Sequence, residues 1–228
     1  MVKKVVIIGD KRFGKYFEES LVITSNKKLA HPVASHVDMN LCVIDKTVFL
    51  PKDSELEKIF CDYGYDVKFI SEGLKEKYPF DVRLNCKAVG NTVVLNSKTV
   101  SKDILNFCEN KGKTIIDTSQ GYAACSTVAL SETDFITSDK GVYNSLLKSG
   151  ITPLLIKEGY IEIEEYDYGF IGGASGFVDD TLYFFGDITA HPDFEKIKNY
   201  LDKNNVNFKC FNCPLYDIGG VYDLKMLN

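Results

Sequence analysis

The chain has 228 residues, a formal net charge of -5, 45% hydrophobic and 26% charged residues. That balance describes a globular protein able to bury a sizeable core, and the length favours one domain spanning 1–228 over two. It argues against a nucleic-acid-binding surface, and the scattered lysines give no basic run of the kind that binds membranes.

At the N-terminus, "VVII" (5–8) is followed at once by Gly9 and Asp10, too short an apolar run for a signal-peptide core or a membrane span, so a cytoplasmic location is expected. "VVIIGDKRFG" could also open a nucleotide-binding sheet, but no G-x-G-x-x-G follows, and an open α/β sheet is the weaker architecture. Further along, four stretches share one grammar: "LCVIDKTVFL" (41–50), "KAVGNTVVLN" (87–96), "VALSETDFIT" (128–137) and "GFVDDTLYFF" (176–185). Each is an apolar run, a polar turn with a threonine and a second apolar run, and the four recur about 45 residues apart. Behind each comes a helix-like segment and another short strand. "DSELEKIFCDYG" carries Asp53 or Ser54 as N-cap and Gly64 as stop, and "SKDILNFCENKG" carries Ser101 as cap. The repeat is therefore β-β-α-β. A fifth copy reads as split: "LYDIGGVYDL" supplies its first strand from the C-terminus, and "KKVVIIGDKRFGKYFEESLVI" supplies the rest from the N-terminus. Pairing the two ends closes a five-bladed α/β propeller without exposed sheet edges.

In such a wheel the start of each first strand faces the centre. Those positions hold His36 and Asp38, expected on one face of a strand in "HVDMNL"; Asp81, Arg83 and Asn85; Cys125, with Gln120 nearby; the glycines of "GFIGGASG"; and Asp217 of "YDIGG". A thiol, an imidazole and carboxylates converging on one cavity suit attack on a planar electrophilic carbon. The cysteine would be the nucleophile, the histidine the proton carrier and an acid the partner of the histidine or of a cationic substrate. Arg83 would suit a substrate carboxylate. The plainer reading of a lone histidine is a hydrogen-bonded core residue, and of Cys125 a small residue packed between Ala124 and Ser126. Of the seven cysteines only Cys210 and Cys213 form a C-x-x-C pair, and His31, His36, Asp38 and Cys42 lack the spacing of a metal set.

"HVDMNLCVIDKTVFL" resembles the H-x-D strand and hairpin of the guanidino-modifying enzymes, the pentein superfamily. "GYAACSTVAL" resembles their nucleophile strand, "GFVDDTLYF" the hairpin after a substrate-binding strand, and "YDIGGV" the acidic-Gly-Gly strand. "QGYAACS", "GFIGGASG" and "LYDIGG" together resemble a bacterial family described by this fold alone. The resemblance implies a pentein propeller with circularly permuted strand order, with Cys125 as nucleophile, His36 as acid-base and Asp38 as partner of the histidine or the guanidinium. It implies substrate contacts from Asp217, Asn85, Arg83, Gln120 and Asp180, although Ile218 intervenes between Asp217 and the Gly-Gly pair, and glycines stand where the family offers a fourth-blade acid. The implied activity is hydrolysis or transfer at a guanidino or amidino carbon of a small arginine-like molecule through a cysteine thioether. It would need no metal or organic cofactor. The alternative is a ligand-binding protein that keeps the fold without the reaction. The aromatics, 13 Tyr and 15 Phe, could also supply a subunit interface, although a core of this size needs aromatics in any case.

Overall fold

A computed structural model describes residues 5–226. Its elements in chain order are β1 (Val5–Ile8), α1 (Lys11–Gly14), β2 (Ser20–Val22), α2 (Val37–Asn40), β3 (Cys42–Ile44), β4 (Thr47–Leu50), α3 (Glu57–Asp62), β5 (Asp66–Phe69), β6 (Lys87–Val89), β7 (Thr92–Leu95), α4 (Lys102–Asn110) and β8 (Thr114–Asp117). There follow β9 (Thr127–Ala129), β10 (Phe135–Thr137), α5 (Lys140–Lys148), β11 (Leu154–Leu155), β12 (Ser175–Val178), β13 (Thr181–Phe184), α6 (Phe194–Lys203), β14 (Asn207–Cys210) and β15 (Val221–Leu224).

Among the described residues these strands form five three-stranded sheets, β3-β4-β5, β6-β7-β8, β9-β10-β11, β12-β13-β14 and β15-β1-β2. In every sheet the middle strand runs antiparallel to the first and parallel to the third. The fifth blade is assembled from the two ends of the chain, in the register Val5↔Leu224 through Ile8↔Val221. The first strands pack as neighbours, β3 on β6, β6 on β9 and β12 on β15, which makes them the hub of a five-bladed α/β propeller.

The reason for a wheel lies in the middle strands. Both faces of each are apolar, so no blade can bury its own surface. Val48 and Leu50 enter one core cluster with Ile7 and Leu224 of the preceding blade, while Phe49 enters another with Val93 and Leu95 of the next. Val94 faces onward to Phe135, Ile136 to Leu182 and Phe184, and Ile8 packs with Phe185. Five apolar wedges thus alternate with five blades, and the last wedge joins the fourth blade to the fifth. Tight turns hold the hairpins: Asp45, Gly90, and the pair Asp179 and Asp180 all adopt positive φ, the backbone that two-residue hairpin turns need.

Three expectations change. The segment at His36 and Asp38 is not a strand: His36 precedes the single helical turn α2, and the strand begins at Cys42. With Val37 and Leu41 in one wedge and Met39 in another, both sides of the segment are apolar, which mimics strand alternation over so few residues. Asp53 and Ser54 do not cap α3, whose first residue Glu57 follows Leu56; Ser54 Oγ instead accepts the Leu56 N–H at 3.3 Å. Thr47, Thr92 and Thr181 are not turn residues but open the middle strands β4, β7 and β13, and of the four hairpin threonines Thr133 alone lies in its turn, before β10. By contrast, Ser101 Oγ caps α4 by accepting the Asp103 N–H at 3.2 Å, and Gly64 ends the α3 turn at φ +85°. No described helix is long and apolar enough to cross a membrane.

Candidate functional site

A short turn precedes the first strand of every blade, and side chains tie several of these turns back on themselves. Asn40 Nδ2 donates to the His36 carbonyl at 2.8 Å, Ser126 Oγ to the Tyr122 carbonyl at 2.6 Å, and Ser175 Oγ to the Ile171 carbonyl at 2.8 Å. The five turns then bond to one another in a closed circuit. Gly173 N–H donates to the Cys125 carbonyl at 2.9 Å, and Ile218 and Gly220 N–H donate to the Gly173 carbonyl at 3.1 and 2.8 Å. Asp38 N–H donates to the Gly219 carbonyl at 3.1 Å. Asn85 closes the circle: its Nδ2 donates to the Asp38 carbonyl at 3.1 Å and its Oδ1 accepts the Ala124 N–H at 2.7 Å. The Asn85 amide also donates to Cys125 Sγ at 3.0 Å.

Cys125 is buried in the centre of this circuit. Burial, with Asp38 and Asp217 nearby, pushes its thiol well above the ordinary cysteine range, so it is protonated at neutral pH. Asp38 interacts with that thiol and lines a hub cavity of about 140 Å3; burial and Asp217 push its carboxyl up to about 8. Lys87, at the start of β6, lines the same cavity; burial lowers its pKa against the pull of Asp38 and Cys125. His36 Nδ1 stands 3.7 Å from Asp217 Oδ1. Burial outweighs their attraction, lowering the imidazole and raising the carboxyl, so both are biased toward neutrality. The backbone N–H groups of Phe170 and Gly219 donate to Asp217 at 2.8 and 3.0 Å and orient it.

The glycines explain why no fourth-blade acid is present. A Cβ on Gly173 would collide with the Asp217 carboxylate, and one on Gly172 would press on backbone oxygens, including those of Cys125 and Thr127 at 2.6 Å. Asp217 fills the space that a fourth-blade side chain would need. Gly219 and Gly220 hold φ of +73° and +69°, which lets the chain pass against His36.

The hub therefore brings together Cys125, Asp38, Asn85, His36 and Asp217. The other expected residues face elsewhere. Arg83 donates through Nη1 to the Thr99 carbonyl at 2.8 Å and lies over the Phe80 ring. Gln120 is held by Asp139 and by the Tyr122 N–H, at 2.7 and 3.0 Å. Asp180 sits on the hairpin turn between β12 and β13, lining an adjoining cavity of about 630 Å3 that shares Lys87, Ala88, Val221 and Tyr222 with the hub cavity. Cys210 and Cys213 are free thiols, the first exposed and the second half-buried. His31 is exposed, 3.9 Å from Glu165 and apart from His36.

Sequence reasoning missed Lys87 and Tyr122. Lys87 occupies the hub-strand position taken by Cys42 in the first blade, each pairing with the third residue of its middle strand, Val94 and Phe49, so superposing the repeats would have exposed the lone charge. Tyr122 donates its hydroxyl to Asp81 at 2.5 Å and stacks on Phe170. Four buried side-chain atoms in these hub turns have no hydrogen-bond partner: His36 Nδ1, Asp38 Oδ1, Asp81 Oδ1 and Arg83 Nε. Buried polar atoms are seldom left so, and three of the four are suited to a donor-rich ligand.

Among solved structures, the chain is similar to C. jejuni agmatine deiminase, with a TM-score of 0.57 and 12% identity over 98% of this chain and 81% of that one. It is similar to DDAH from Pseudomonas aeruginosa complexed with citrulline, with a TM-score of 0.57 and 9% identity over 93% and 92% of the two chains. An amidinotransferase from Microseira wollei gives 0.55 and 9% over 95% and 78%. These likenesses establish the pentein fold. No curated protein matches. The family model described as "Family of unknown function (DUF6873)" matches residues 10–222, and the chain belongs to that family.

Proposed function

We propose that the protein is a cysteine-dependent enzyme acting on the guanidino or amidino carbon of a small arginine-like molecule. The observation that carries this reading is the pair of buried carboxyls, Asp38 and Asp217, beside the Cys125 thiol and the neutral His36. Both carboxyls are raised because burial leaves their negative charge poorly compensated. A planar cation with several N–H donors supplies that compensation and satisfies Asp38 Oδ1. The solved structures of similar fold include a deiminase and an amidinotransferase, which is the same class of chemistry.

The chemistry follows from the protonation states. The bound cation favours the thiolate, and the Cys125 proton passes to His36, held neutral by burial. The sulfur attacks the amidino carbon, His36 returns the proton to the departing amine, and a thioether-linked amidinium remains. Water, deprotonated by His36, then adds to that carbon. Collapse forms the C=O of the product, its hydroxyl proton passing to solvent, and breaks the C–S bond, while His36 returns the water's other proton to sulfur.

A second reading, ligand binding without turnover, is favoured by the same thiol being buried and protonated in the free protein. Reaction with 2-chloroacetamidine separates the two. The enzyme reading expects a single covalent adduct on Cys125 by intact mass and peptide mapping, no adduct in Cys125→Ser, and labelling slowed by about 100-fold in His36→Ala. A chain whose Cys125 stays unlabelled at neutral pH while exposed Cys61 reacts is a binder, not a catalyst.

A further inference from the structure

Two thiols from adjacent blades meet beside the hub. Cys42 opens β3 and Cys86 immediately precedes β6; both are buried, and their Sγ atoms lie 2.8 Å apart. That is closer than the roughly 3.5–4.0 Å at which even carbon atoms rest in contact, and short of a disulfide by under about 1 Å. Strands β3 and β6 pack side by side, which holds the two sulfurs within reach of each other. Both cysteines also line the hub cavity of about 140 Å3, which has room for a molecule of a few heavy atoms.

We propose that Cys42 and Cys86 are a redox site, a dithiol that hydrogen peroxide entering the hub cavity converts into a disulfide tying the first blade to the second. One sulfur, as thiolate, attacks a peroxide oxygen; the O–O bond breaks, leaving a sulfenic acid, and hydroxide departs and takes a proton to become water. The other thiol then attacks the sulfenic sulfur; the S–O bond breaks and a second water leaves. Both sulfurs are oxidised, and the peroxide is reduced to two waters. The hydrogen bond to Cys42 and burial raise the Cys86 thiol, so the reaction is slow at neutral pH and accelerates as the pH rises. Neither cysteine takes part in the proposed amidine chemistry, so a chain inert toward amidines can still form this bond.

The test treats the reduced full-length protein with graded hydrogen peroxide at pH 7 and pH 9. Remaining thiols are then blocked with iodoacetamide in denaturant, and the peptides are mapped by mass spectrometry. The expected result is a peptide linked through Cys42 and Cys86, about 2 Da lighter than the reduced pair, formed faster at pH 9 and lost on treatment with dithiothreitol. In Cys42→Ser the link is absent, and Cys86 is trapped by dimedone as the sulfenic acid. Recovery of Cys42 and Cys86 as free thiols at peroxide levels that fully oxidise exposed Cys61 and Cys210 overturns the proposal. So does a link from Cys86 to buried Cys108, a thiol that lies near enough to be raised by Cys86. The wild-type map decides even where the variant does not fold.

Discussion

At Asp38 the fold works against ionisation. Its ordinary pKa of 3.8 is pushed up to about 8, chiefly by burial and then by Asp217. A carboxyl raised on folding keeps its full contribution to stability below the unfolded value. That contribution is lost as the pH climbs through the folded value, because the unfolded chain then holds the charge more easily. The window runs from about pH 4 to about pH 8. Asp38→Asn keeps the shape and removes the charge. It should match wild type near pH 4 and exceed it by about 2 kcal/mol at pH 8, a figure discounted for the partial opening of Asp38 to the hub cavity. Urea midpoints across that range check this; a constant difference at every pH would show that Asp38 is not the group whose ionisation destabilises the hub. At the same scale, the H-x-D pattern showed where polar groups would gather, but not their backbone. Asn40, which ties its own turn through the His36 carbonyl, was the residue that marked a turn rather than a strand.

Among the elements, helices α4 and α5 begin where side-chain caps place them. Ser101 accepts the Asp103 N–H while its hydroxyl donates to Glu72, and Asp139 accepts the Val142 N–H at 2.8 Å. Ser101 is fully buried, so water cannot replace what it supplies. Ser101→Ala should cost about 1–2 kcal/mol and lower the melting temperature by about 2–4 °C per kcal/mol. An unchanged melting curve would assign α4 its stability from packing alone. α3, without a side-chain cap at Leu56, starts where its apolar face meets the core: Phe60 is fully buried against Tyr65 and Tyr222. Caps could be read locally, but α3 shows that a neighbouring blade can set a helix start with no capping residue at all.

Across the molecule, five apolar wedges on the outside and one hydrogen-bonded circuit at the hub hold the blades in register. Asn85 is the side chain that completes that circuit, through the Asp38 carbonyl and the Ala124 N–H. Asn85→Ala strands a buried acceptor and a buried donor on two different blades, and each such group costs about 1–3 kcal/mol. The expected loss is about 2–4 kcal/mol in a single cooperative unfolding transition, measured by denaturant titration. A loss under about 0.5 kcal/mol, the level of an ordinary surface change, would mean that the wedges alone close the ring.

The repeat, the doubly apolar middle strands, the Ser101 cap and the split blade were written in the sequence, because each depends on residues within one blade or on a pattern that recurs. Only the tertiary structure decided that His36 meets Asp217, that Asn85 reaches Cys125, that Arg83 turns to Thr99 and Gln120 to Asp139, and that Cys42 touches Cys86. Most of these pairs join different blades, and their partners are set by how far one wedge rotates its blade against the next. That rotation is a sum over the packing of many side chains, and no local stretch of sequence encodes it.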